Sequence, residues 1–465
     1  MTQPVPASER PPSWLDAIRI YGRPRMLSML ALGFSSGLPF MLIYSTMSAW
    51  LRQEGIERKT ISALSLVGLA YSFKYLWSPI VDRFRLPLIG RLLGQRRSWM
   101  LLTQVCIGLT LLTIAAGDPA ADVRRLAFVT LLLAIAAATQ DIAVDAWRIE
   151  SATLDEQGPM AAAYQFGYRT AILVAQGGAL WIAGDYGWHR SYRVMAMLAL
   201  IGVITTLLVR EPERRAPVQS VLTEQRVVDW LKRRAHWPPR LQRAGAWILG
   251  AIVCPVMDFF ARYGLSLGLL LFAFISTYRM TDYTMGVMAN TLYIDLHYSL
   301  KEVAAVAKLY GTVLTLVGVT VGGIAVTHLG RVRSLFLGSV LIMLSSTCYG
   351  LLAAHAQPSI VGLAAIISVD NFAIGVHGTA LIAFMSTLTS ARYTATQYAV
   401  LSSIYTIPGK LLMSKSGDIV NAIGYPHFYG YTAVLSLPAL IVLIIMTQRQ
   451  DFRQLVARWA NAKST

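Results

Sequence analysis

The sequence predicts an all-α membrane protein whose twelve transmembrane helices form two pseudo-symmetric six-helix bundles. Three observations carry this. Of 465 residues, 55% are hydrophobic and only 14% charged, whereas a soluble globular chain carries about a quarter charged residues to keep a polar surface in water. Apolar runs near the roughly 20 residues needed to cross a bilayer recur along the whole chain. Polar landmarks in the first half also reappear in the second half in the same order.

The predicted spans are Met26–Trp50, Thr60–Val81, Ser98–Ala116, Leu126–Trp147, Ala161–Gly184 and Tyr192–Val209, then Ser266–Asp295, Val303–His328, Ser334–Ala354, Ile360–Leu388, Thr396–Ile419 and Phe428–Met446. The chain thus divides into an N-terminal tail (1–25), a six-helix bundle (26–209), a linker (210–265), a second bundle (266–446) and a C-terminal tail (447–465). The tail before Met26 is polar and Pro-rich, with no apolar core of its own, so it is expected to be a short cytoplasmic tail and not a cleaved signal peptide. Within the linker, KRRAHWPPRLQR is amphipathic and Ala246–Phe260 is moderately apolar. The latter is short, contains Pro255 and Asp258, and is flanked by basic residues, so it reads as an interfacial helix more readily than as a thirteenth crossing.

The halves share an order of landmarks. Asp141 lies in QDIAVD on the fourth span, 24 residues before Gln165 and 44 before Asp185. Asp370 lies in VDNFAIG on the tenth, 27 residues before Gln397 and 48 before Asp418. Matching landmarks in matching order imply a parallel internal repeat.

The formal charge of +17 raises the question of nucleic acid. The basic residues sit in short links between apolar runs rather than on one face of a soluble domain, so they set orientation instead. Lysine and arginine concentrate in the tails and the even-numbered links, such as Arg83 to Arg97 and Arg210 to Arg262. Both termini are therefore expected in the cytoplasm. Three widely spaced cysteines, Cys106, Cys254 and Cys348, form no metal or disulfide pattern. No Walker loop or HExxH is present, so no catalytic residue, metal or cofactor is expected, and any pumping must draw on an ion gradient.

Ionisable groups inside a hydrocarbon layer are costly, so each needs a partner, a cavity or a function. Lys74, Asp141 and Arg169 all fall roughly 10–14 Å from the cytoplasmic ends of their spans at the helical rise. Asp145 lies one turn from Asp141 on the same face. These four could form a neutral brace between helices, or a proton-exchange site with Asp141 as the more central carrier. Gln140 and Gln165 carry donors and acceptors suited to a ligand. The second half offers Arg279 and Asp282, three residues apart and able to neutralise each other, together with Asp370, Asn371 and Lys410. Asp370 and Lys410 could pair across helices, or Lys410 could face an anionic ligand group. Gly33 and Gly37 have the spacing of closely packed helices, and Pro39 allows a bent, cavity-lining helix. Asp82-Arg83, Arg96-Arg97, Arg148 and Glu150 gather at the cytoplasmic face as a candidate gate, or as surface charge with only a topological role.

GFSSGLPF (Gly33 to Phe40), KYLWSPIVDR (Lys74 to Arg83), RRSW (Arg96 to Trp99), TQDIAVD (Thr139 to Asp145), AAYQFGYR (Ala162 to Arg169) and PVMDFFAR (Pro255 to Arg262) together resemble the AmpG muropeptide permeases of the major facilitator superfamily. The link after the second span keeps Asp82-Arg83 of the superfamily's signature but stretches its spacing to Gly94 and Arg96-Arg97. The match covers nearly the whole chain and is dense mainly in the first half. It implies a proton-coupled importer of N-acetylglucosaminyl-1,6-anhydro-N-acetylmuramyl peptides in the bacterial inner membrane, working as a monomer by alternating access. It also singles out Gly33, Gln140 and Asp141. The divergent second half leaves a siderophore or acetyl-CoA-like substrate open, and a non-transporting sensor or subunit is the reading from another class.

Overall fold

The protein is described here from a computed structural model, for residues 22–56, 60, 64, 67, 70–119, 121–213, 225–299, 302–354 and 359–461. The regular elements among these residues are all helices. In the first half they are α1 (Pro24–Gln53), α2 (Ser78–Arg83), α3 (Gln95–Ala116), α4 (Val123–Ser151), α5 (157–186) and α6 (Trp188–Leu208). Most of the predicted second span before Ala70 lies outside the described residues; its described part runs through Ala70–Phe73 and Lys74–Leu76 into α2. The second half holds α7 (265–295), α8 (303–328), α9 (Arg331–Ala354), α10 (Ile360–Leu388), α11 (394–423) and α12 (425–448).

Nine helical stretches among the described residues are long and apolar enough to cross a bilayer. α5 is not one of them, and α11 contributes only its final turns. Both depart from a regular apolar rod for visible reasons. α5 carries Gln165, Tyr168 and Arg169 and widens into a π-helical turn at Val174–Gly178. α11 breaks at Tyr405-Thr406 and again near Lys415. Irregular or polar helix inside a membrane is tolerated where it faces protein or a cavity rather than lipid.

Glycine sets the closest helix approaches. A Cβ on Gly33 of α1 would strike the Tyr164 carbonyl of α5, and one on Gly167 would strike the Leu30 carbonyl of α1. The second half repeats the device between α8 and α10, where Gly318 lies against Phe372 and Gly375 against Thr315. Backbones this close gain dispersion contacts that larger residues would prevent. The two halves meet through α5 against α8 and α10, and through α2 and α4 against α11.

The linker settles across one end of this arrangement. Pro239–Ile248 runs through a π-helical turn into the helix that starts at Cys254, which folds over at Gly264, a glycine with φ of 73°. Arg83 donates to the Gly250 carbonyl, Gln397 donates to the Pro255 carbonyl at 2.8 Å, and Arg262 donates to the Leu388 carbonyl at 3.1 Å. Residues 250 and 262 are about 18 Å apart along a helix, yet both touch the same end of the spans. That end of the bundle is the charged end.

Candidate substrate and ion-coupling site

Two charged groups of side chains sit between the halves. The first is built on α4, whose buried face carries Gln140, Asp141, Asp145 and Arg148. Asp145 is the hub: Lys74 Nζ lies 3.9 Å and Arg148 Nη2 3.3 Å from its carboxylate. Arg148 then crosses to the second half, donating to Ser386 Oγ at 2.9 Å and lying 5.2 Å over the Tyr398 ring. Asp141 sits one turn away beside Ser36 and Lys74, with Oδ1 buried and without a partner. A buried carboxylate oxygen with no donor is costly, so Asp141 is the member of this group whose charge the fold satisfies least.

The second group faces it from α5 and α7. Arg279 occupies the break between the two helical parts of α7 and donates to Asp282 Oδ2 at 2.5 and 2.8 Å. Its guanidinium also lies 5.0 Å over Tyr283 and 5.5 Å over Tyr405. Arg169 of α5 is within electrostatic reach of both Arg279 and Asp282. Its Nε is buried without a partner, and its side chain makes no hydrogen bond or ion pair among the described residues.

At the charged end, Asp82 is buried and engaged from three sides. Arg96 donates to it at 2.7 Å, the Thr396 N–H and hydroxyl each donate at 2.9 Å, and the Ala395 N–H approaches at 3.3 Å. Arg96 also holds Glu150 at 2.6 Å, so one buried cation joins α2, α3 and α4 while Asp82 reaches the start of α11. Beside this junction a cavity of about 170 Å³ is lined by Glu150, Gln157, Glu213, Ser386 and Thr394, among others.

The sequence-derived candidates fall into three sets. Lys74, Asp141, Asp145, Arg169, Arg279 and Asp282 line the interface, but as two groups: Arg169 turns to α7 and does not join the brace with Lys74 and Asp145. Asp82 and Glu150 meet at the charged end through Arg96, whereas Arg97 instead binds the Thr206 and Leu207 carbonyls at the end of α6. Arg83 serves the linker and lies over Tyr393, and Arg148 belongs to the Asp145 group. The remaining candidates are engaged elsewhere. Asp370 and Lys410 do not pair: Asp370 accepts from Ser345 at 2.7 Å and Tyr349 at 3.3 Å, and Lys410 donates to Ser72 at 2.7 Å. Asn371 bonds Thr315 between α10 and α8, and Gln140 is buried against Ser35 and Ser36 of α1. Gln165 lies against Gly378 of α10, and Gly33 is the packing contact already described. Of the Arg96-Arg97 pair it is Arg96 that reaches Glu150, and Thr396 is not singled out by the sequence. Neighbours on a helix point about 100° apart, so a bare Arg-Arg pair does not say which one turns inward.

The family model of the Major Facilitator Superfamily matches residues 29–413. "Putative transporter AmpG 4" of Rickettsia conorii is 31% identical over 433 residues, covering 93% of this chain and 98% of that one. "Anhydromuropeptide permease" of Escherichia coli strain K12 is 33% identical over 437 residues, covering 94% of this chain and 82% of that one. The chain belongs to the AmpG-type permeases of the major facilitator superfamily. It is a multi-pass membrane transporter of a small molecule and not an enzyme. Its fold agrees with that of the proton:xylose symporter XylE bound to 6-bromo-6-deoxy-D-glucose, at a TM-score of 0.61 and 13% identity over 94% of this chain and 95% of that one.

Proposed function

We propose that this transporter imports anhydro-muropeptides (GlcNAc-1,6-anhydro-MurNAc peptides) from periplasm to cytoplasm together with protons. It would sit as a monomer in the bacterial inner membrane, with both termini and the charged end in the cytoplasm. The substrate reading is supported by the permease relative and by an interface that combines cations with tyrosine rings, which suit an anionic, hydroxylated ligand.

The observation that carries the coupling is the unpartnered Asp141 oxygen at the interface of the halves. A proton on Asp141 removes one negative charge beside Lys74 and leaves the cations of the interface in greater excess. An anionic substrate then binds more tightly, since Coulomb energies are large where water is scarce. By reciprocity the bound anion holds the proton. Alternating access follows when the Asp82–Thr396 contact at the charged end releases and the halves rock about the site.

Uptake of labelled GlcNAc-anhydro-MurNAc-tripeptide into proteoliposomes, with and without an inward acid gradient, tests the reading. Accumulation driven by the gradient is expected. Uptake indifferent to the gradient removes the proton, and no uptake at all removes the substrate.

A further inference from the structure

We propose that Arg169 and Arg279 together form the anion subsite of this transporter, holding a carboxylate of the substrate from opposite halves. The proposal deepens the sugar-peptide reading above and rests on it for the identity of the ligand. Its own warrant is the charge of the interface. Among the described residues the two facing groups contain Lys74, Arg148, Arg169 and Arg279 against Asp141, Asp145 and Asp282. Each acid except Asp141 has a cation within salt-bridge distance, and each cation except Arg169 has an acid. An arginine stays charged in any protein environment. A fold that leaves one inside a membrane without a carboxylate holds a place for an anion that arrives from outside.

The geometry around Arg169 suits a carboxylate. Arg279 spends two N–H groups on a single oxygen of Asp282, leaving Asp282 Oδ1 without a partner. This pairing, made through Nε and Nη2 to a single oxygen, can yield part of the guanidinium to a second carboxylate. Both arginines also sit next to irregular helix. Arg279 has φ of −101° and ψ of 13° in the break of α7, and Arg169 lies five residues before the π-helical turn of α5. Interrupted membrane helices expose backbone polar groups where a ligand binds. Tyr168, Tyr283 and Tyr405 stand around the pair and offer ring faces to a sugar.

Two carboxyl states of one ligand test this. Wild-type transporter in nanodiscs is titrated with anhydro-MurNAc-tripeptide as the free acid and as its C-terminal amide with the side-chain acids also amidated. The free acid is expected to bind about tenfold or more tightly, the scale of one charge-assisted pair. Arg169→Gln should bind both forms equally, and Arg169→Lys should recover part of the preference. Melting of the ligand-free protein separates a binding role from a structural one. Arg169→Gln should melt no lower than wild type, because it removes an uncompensated charge. A preserved preference in Arg169→Gln, or a melting temperature lowered by several degrees, overturns the subsite. Failure of the wild type to bind either form overturns the sugar-peptide reading instead, and the melting comparison still decides whether Arg169 is an orphan charge.

Discussion

Asp82 of α2 accepts hydrogen bonds from both the backbone N–H and the hydroxyl of Thr396, each at 2.9 Å, although the two residues are 314 positions apart. The carboxylate thereby sits at the N-terminal end of the Thr394–Ile404 helix, where the helix dipole favours a negative charge. Asp82→Asn keeps the shape and loses the charge. The contact between halves should weaken by roughly 1.5–3 kcal/mol, the range for a hydrogen bond to a charged group. In a background with Cys106, Cys254 and Cys348 replaced, a cysteine at Thr394 should then react at least several-fold faster with a charged thiol reagent supplied from the charged end. An unchanged rate would mean that Asp82 fastens helices without closing a path.

Asp141 makes a different prediction, because its role would lie in coupling and not in closure. Asp141→Asn should abolish accumulation of the labelled tripeptide against its gradient while allowing exchange of substrate down its gradient. Protein level and melting temperature should remain close to wild type, since Asp141 Oδ1 has no partner to lose. Intact accumulation in the variant would remove Asp141 as the proton carrier.

The spans themselves were legible because the bilayer imposes a length and a polarity that composition records directly. The tenth span is expected over Ile360–Leu388 and observed over the same residues, and the fourth is expected over Leu126–Trp147, within an observed Val123–Ser151. The partners of the buried charges were less legible. Reading depth along each helix placed Lys74, Asp141 and Arg169 at one level, but depth says nothing about azimuth. Arg169 in fact turns toward α7, and Asp370 turns toward Ser345 and Tyr349 on α9. Pro408, in the first turn of the following helix, accounts for the break at Tyr405, whereas the break at Arg279 has no proline or glycine beside it to announce it.

Gly33 offers a case where packing and substrate handling predict different measurements. Its Cβ position is occupied by the Tyr164 carbonyl, so Gly33→Ala must push α1 away from α5. The expected cost is about 1–3 kcal/mol, seen as a lower melting temperature and lower folded yield, with the KM of the protein that does fold unchanged. Gly108→Ala is the matched control, because nothing lies within 4 Å of its added Cβ. It should be neutral or slightly stabilising, by up to about 1 kcal/mol in a helix interior. A raised KM with normal melting in Gly33→Ala would instead place this glycine at the substrate.

Arg96 is buried to 2% exposure between Asp82 and Glu150, at 2.7 and 2.6 Å. Its removal therefore strands two carboxylates, and one-sided loss of a buried ion pair costs about 3–5 kcal/mol. Arg96→Met alone should sharply reduce folded protein. Adding Glu150→Gln removes one stranded charge, while Asp82 keeps its donors on Ala395 and Thr396. The double variant should consequently be more stable than Arg96→Met, even though it carries one more substitution in the core. Melting temperatures of the wild type, both single variants and the double variant form a cycle that reads this coupling directly. Additive losses would show that Arg96 and Glu150 do not share their charge, and that the junction at the charged end depends on Asp82 and Thr396 alone.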